Sequence, residues 1–194
     1  MSNPRPVTLA LAALLAATPA ALADVITFDA LGPSPIGTIM PGQYAGLRWG
    51  NGGTSWHYMT LAGNPSDTFL ALSGNSTFVG GIGGADFNLN SVDIWSRRGL
   101  DANGDFYFVL YHDGATVYNG VIENDGRQRF TGAHTTFVPS YTGPIDGFAF
   151  AFDSNGLDWN HLAMDNVNIT FVPAPGALAL GLTGALALTR RRRM

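Results

Sequence analysis

The pair Asp113-Gly114 separates the run Phe106-Tyr107-Phe108-Val109-Leu110-Tyr111-His112 from Ala115-Thr116-Val117-Tyr118. Two strand-forming runs joined by just this pair read as a β-hairpin, because a type I′ turn needs positive φ, which glycine takes freely. A two-residue turn also sets the register. It places Tyr111 opposite Thr116, Val109 opposite Tyr118 and Tyr107 opposite Gly120. One face then carries Tyr107, Val109, Tyr111 and Tyr118, the other Phe106, Phe108, Leu110, Val117 and Val121. Both faces are apolar. Such a hairpin is either covered on both sides or displays an aromatic platform on one, so the chain around it must be a larger β structure.

The flanking sequence agrees. Short apolar runs stand between Gly, Asn, Asp and Pro: Val25-Ile26-Thr27-Phe28-Asp29, the stretch 44–49, then 56–61, 68–73 and 76–79. Phe87-Asn88-Leu89-Asn90 and Val92-Asp93-Ile94-Trp95 alternate about a break near Ser91, which reads as a bulge. Phe148, Phe150 and Phe152 share one face of the stretch 145–152. Val167, Ile169 and Phe171 oppose Asn166, Asn168 and Thr170, as in a half-buried strand. No helical period is sustained outside the chain ends. About ten strands are expected, enough for two packed sheets, so the fold class is all-β, an antiparallel β-sandwich over residues 24–171.

The two ends are of another kind. Residues 1–23 carry Arg5, then an apolar core from Val7 to Ala17, then Ala21-Leu22-Ala23. That order is a secretory signal peptide, with a helical apolar core, whose cleavage leaves Asp24 as the new N-terminus. Residues 172–194 begin Val172-Pro173-Ala174-Pro175, which continues neither strand nor helix. An apolar, helical composition follows, then Arg190, Arg191, Arg192 and Arg193. Physically this is a membrane-inserted segment held by basic residues on the cytoplasmic side. Its fourteen apolar residues (176–189) are short for a lasting span, which takes roughly 20.

Charge narrows the partners. The formal net charge is -4, but residues 24–171 hold five arginines against all fourteen acids, a balance near -9. Nucleic acid needs clustered positive charge, so it is excluded as a partner. The chain has no cysteine and no lysine, and Glu123 is its one glutamate. Thiol chemistry and disulfides are therefore absent.

The C-terminal order of Pro-x-Pro, apolar segment and arginine cluster resembles the PEP-CTERM sorting signal, with Ala174 where glutamate is usual. The same tail is similar to the ice-binding protein C-terminal domain, although the body lacks the repeated threonine face that ice matching would need. The resemblance implies an exosortase as partner, acting near Pro173-Ala174-Pro175. It further implies a Gram-negative host that makes exopolysaccharide, transient membrane anchoring, and a final place at the cell surface or outside it. The body motifs Ile26-Thr27-Phe28-Asp29, Tyr44-x-Gly46-x-x-Trp49 and Met164-Asp165-Asn166-Val167 resemble jelly-roll, galactose-binding-like modules. Such modules often carry a structural calcium near the chain ends, to which Asp29 and Asp165 would contribute.

Catalysis has no motif behind it. There is no G-x-S-x-G elbow or H-E-x-x-H, and no two of His57, His112, His134 and His161 have ligand spacing. A glycan hydrolase would have to pair aspartates across a cleft. Asp101, Asn103 and Asp105 alternate as oxygen ligands of a calcium loop do, and also as a plain Asp/Asn/Gly turn does. No other cofactor is implied. A polysaccharide is the ligand class that the aromatics suggest, since sugar faces stack on Trp and Tyr. The candidates are Trp49, Trp56, Trp95, Tyr107, Tyr111 and Tyr118, with Arg97 and Arg98 as a polar rim beside Trp95. The competing role for each aromatic is plain core packing. The functional expectation is a non-catalytic surface or matrix protein that contacts exopolysaccharide, with a dedicated carbohydrate-binding module as alternative.

Overall fold

The alternating runs pair into two seven-stranded sheets in the computed structural model, which describes residues 23–50, 55–74, 77–99, 104–123, 127–152 and 158–173. These fall in one compact unit, Ala21–Ala174. The expected terminal helices, with Ala21, Ala174, Pro175 and the four terminal arginines, lie outside the described residues, as do Asp101 and Asn103.

In chain order the strands are β1 (Ala23–Ile26), β2 (Thr38–Ile39), β3 (Gln43–Tyr44), β4 (Leu47–Trp49), β5 (Trp56–Leu61), β6 (Asn64–Leu72) and β7 (Val79–Gly81). Then come β8 (Phe87–Ser96), β9 (Asp105–His112), β10 (Ala115–Asn119), β11 (Arg127–Arg129), β12 (Thr135–Phe137), β13 (Gly147–Phe152) and β14 (Leu162–Phe171). The first sheet runs β12-β8-β14-β6-β5-β2, with β1 also on β14. The second runs β10-β9-β13-β7-β4-β3, with β11 also on β9. All pairings are antiparallel. The chain changes sheet between β2 and β3, β4 and β5, β6 and β7, β7 and β8, β8 and β9, β11 and β12, β12 and β13, and β13 and β14. The fold is thus an all-β sandwich.

Alternation decides what fills it. Leu162, Met164, Val167 and Ile169 of β14 face inward with Leu70 and Leu72 of β6 and Val92 and Ile94 of β8. Phe106, Phe108 and Leu110 of β9 meet them with Phe148 and Phe150 of β13, and Phe152 packs at the edge. Phe108 stacks on Phe137 at 4.0 Å between centroids and meets Phe150 at 4.5 Å. The expected faces of β13 and β14 are the observed ones.

Two local readings change, and a third, the break near Ser91, is found as expected. The stretch 44–49 is not one strand: Ala45 and Gly46 both take positive φ, 50° and 78°, and turn β3 back on β4. Gly46 is needed there twice over, because a Cβ would also stand 2.5 Å from Cζ of Phe171. The Asp113-Gly114 turn has φ of 50° and 74° and pairs Thr116 with Tyr111 as the register requires. Beyond it a bulge at Val117 puts Tyr118 opposite Leu110. Tyr118 therefore turns into the core, at 3% exposure, and Val121 is left 58% exposed. The break near Ser91 is an irregularity in the pairing of β8 with β14, and a second one at Asn166 (φ 49°) sits in β14.

Candidate functional site

Trp49 and Trp56 are not ligand platforms. Both are fully buried between the sheets, edge to face at 6.4 Å, and Trp49 also meets Phe28 at 5.4 Å. Their distance in sequence from the Phe-rich strands hid this. The sandwich brings both into the core by placing β4 and β5 on opposite sheets.

Trp95 points the other way. Ile94 faces the core, so its neighbour in β8 stands on the outer face of the first sheet, where Phe69, Ala71 and Ala163 form a separate apolar cluster with it. Register explains the cluster. Trp95 lies opposite Ala163, and Ala163 opposite Ala71. Two methyl-sized side chains in line leave room for the large rings to lie over them. Phe69 meets the Trp95 ring at 5.2 Å, and His134, just before β12, stacks on it at 3.9 Å with only 11° between planes. Met59 and Leu61 of β5 complete the patch.

A hollow of about 350 Å³ opens over this cluster, and Arg97 and Arg98 reach it from the end of β8. That size is within the range of small-ligand sites. The Arg97 Nε donates to the Asn160 carbonyl and Nη1 lies 3.8 Å from the Met59 sulfur. Partial burial lowers the Arg97 pKa, and the charge of Arg98 lowers it further. Neither arginine forms an ion pair among the described residues. Sequence had placed both beside Trp95. It gave no sign of Phe69, Met59 or His134, which arrive from three other segments.

A second hollow, of about 460 Å³, lies on the outer face of the other sheet, lined by Phe78, Tyr111, Arg48 and Asp146 over glycines. Its floor is made by absence of side chains. A Cβ on Gly80 or Gly147 would stand 2.6 or 2.5 Å from the Phe78 ring, and one on Gly81 1.9 Å from the Ala85 carbonyl oxygen. Phe78 can therefore lie against the sheet beside Tyr111, 6.2 Å away. Here the charges are already used. The Arg48 guanidinium sits 5.8 Å over Phe78, and Asp146 accepts the Asp113 N–H at 2.9 Å. Tyr107, on the same face, lies under the Arg127 guanidinium at 5.9 Å. Of the sequence candidates, the molecule gathers Trp95, Arg97 and Arg98 in one place, puts Tyr111 in the second hollow and Tyr107 beneath Arg127, and buries Trp49, Trp56 and Tyr118.

Of the calcium candidates, Asp101 and Asn103 lie outside the described residues, and Asp29 stands near enough to Asp165 for its charge to act there. Asp105 is held by Arg127 at 2.6 Å, with Arg129 at 4.0 Å, so its carboxylate already has cations. Asp29 accepts the Thr68 N–H at 2.8 Å. Asp165, on the outer face of β14, is 9% exposed, and its Oδ1 has no hydrogen-bond partner. Burial pushes its pKa up to about 7. The Asn166 backbone N–H opposes this rise, while Asp29, Asp67 and Asp93 add to it. Among the described residues no three carboxylates or histidines are placed to hold a metal. Asp165 also lies directly opposite Asp93, whose Oδ2 takes the Asn166 amide at 2.9 Å. Two facing carboxylates are what glycoside hydrolysis asks for, but Asp165 lines neither hollow described above.

No protein-family model matches the chain, and no curated protein is similar to it in sequence.

Proposed function

We propose that the chain is an exported, exosortase-sorted surface or matrix protein whose non-catalytic sandwich contacts exopolysaccharide. The observation that carries the glycan part is the hollow beside Trp95: Trp95 and Phe69 are buried, at 6% and 4% exposure, and back the exposed ring of His134, which stacks on Trp95 and stands on the outer face of the sheet beside a guanidinium rim. Aromatic faces stack on pyranose rings while arginine donates to hydroxyls and carboxylates, so this pairing of residue types suits a sugar. The repeated change of sheet along the chain is jelly-roll-like, and it supports the resemblance to galactose-binding-like modules. The export part rests on the sequence of residues 1–23 and 172–194, with the exosortase as processing partner and the inner membrane as a temporary anchor. The reading as a dedicated carbohydrate-binding module is favoured by the second aromatic hollow at Phe78 and Tyr111.

Glycan-array binding by the full chain in mild detergent tests the reading. Retention on polysaccharide that His134→Ala reduces at least about tenfold supports it, as loss of a stacked anchor worth about 1.4 kcal/mol or more would. A folded chain that is retained on no glycan overturns it.

A further inference from the structure

Arg97 and Arg98 bring two guanidinium groups to one hollow, and neither has a carboxylate partner among the described residues. The body is strongly acidic, so this needs a reason. Arg48 lies over a ring, and Arg127 and Arg129 share Asp105. Arg97, by contrast, is half-buried, fixed through Nε to the Asn160 carbonyl, and repelled by its neighbour. Placing a partly desolvated guanidinium beside another without an anion costs free energy. Among the described residues its Nη2 has no hydrogen-bond partner, and Arg98 is exposed with none. A guanidinium held by one edge presents the rest of its planar fork, the geometry that takes a carboxylate with two parallel hydrogen bonds.

Resting on the glycan reading of this hollow, we infer that its ligand is an acidic sugar: a hexuronate residue of a polysaccharide, its ring stacked on the exposed face of His134, which Trp95 backs, and its carboxylate held by Arg97 and Arg98. The rest of the face limits how that chain lies. Asp93 stands two residues before Trp95 on the same face, roughly 7 Å back along the strand at 3.3–3.4 Å per residue, with Asp165 opposite it. A polyanion running along β8 would meet those carboxylates. One running across the strands, over Met59 and Leu61 toward Pro35, would not. The site thus reads one charged unit at the arginine end and neutral or uncharged surface beyond it.

Titration of the full chain in mild detergent with an oligohexuronate and with a neutral oligoglucose of equal length decides the matter. The expected result is tighter binding of the uronate, weakening as salt rises. Arg98→Gln should weaken the uronate about tenfold, the cost of one charge-assisted hydrogen bond, and leave the neutral oligomer unchanged. Arg98 supports no other side chain, so an unaltered melting temperature will show that the variant folds. Equal binding of both oligomers, indifferent to Arg98→Gln, overturns the acidic-sugar inference and leaves the glycan reading standing. Binding of neither overturns both. Displacement of the uronate oligomer by acetate at the same concentration of carboxylate, or tighter binding of an acidic peptide, overturns the assignment to a sugar.

Discussion

The two outer hollows use the same residue types to opposite ends. At Phe78 the charged groups each have a contact of their own: Arg48 covers the ring, and Asp146 accepts the Asp113 N–H at the turn. At Trp95 the ring is capped by His134, but the arginines face open space. The first is a closed set of contacts that shapes the sheet surface. The second has binding capacity left over. Side-chain composition therefore does not separate a platform from a packing motif; what separates them is whether the polar groups already have partners.

The sharpest way to break this contrast is to raise the floor of the Phe78 hollow. Gly81→Ala would set a Cβ 1.9 Å from the Ala85 carbonyl oxygen. Backbone has to move, and we expect a loss of about 3 kcal/mol in denaturant unfolding, the upper range for overpacking. Uronate binding by the folded fraction should be unchanged. Loss of both together would mean that the two faces are one cooperative site.

Next in size is Asp165, which belongs to the acidic strip beside the Trp95 hollow. Its folded pKa of about 7 exceeds the ordinary aspartate value of 3.8. Between those values the folded state holds a proton that the unfolded state has lost. Stability therefore falls as pH rises from about 4 to 7 and levels off above that. Asp165→Asn should remove this dependence, gaining on the order of 2 kcal/mol at pH 8 and close to nothing at pH 4, after allowing for solvent screening. A melting-temperature difference that does not change with pH would sink this account. Smallest is Arg48→Ala. An exposed cation over a ring is worth about 0.5–1 kcal/mol, so thermal unfolding should shift little and glycan retention not at all. A binding loss as large as that of Arg98→Gln would make the Phe78 hollow the reader.

Much of the body was legible because period-two patterning is local. The Phe face of β13, the Val167-Ile169-Phe171 face of β14 and the Asp113-Gly114 turn need only their own residues. The Val117 bulge was not legible, because nothing in Thr116-Val117-Tyr118 departs from strand composition; burying Tyr118 beside Phe137 is a tertiary gain. Trp95 with Arg97 and Arg98 could be seen as a candidate because they adjoin in sequence. The Phe78 hollow could not, since its floor is assembled from glycines on β7 and β13 that only sheet pairing brings together.

The pairing of β1 with β14 has a consequence for orientation. Ala23 lies opposite Thr170, so the chain enters and leaves the sandwich at one pole. Trp95 lies opposite Ala163, seven residues back along the same strand, roughly 23 Å away at about 3.3 Å per residue. The arginine-rimmed hollow therefore stands at the far end of β14 from the point where the chain enters and leaves the sandwich.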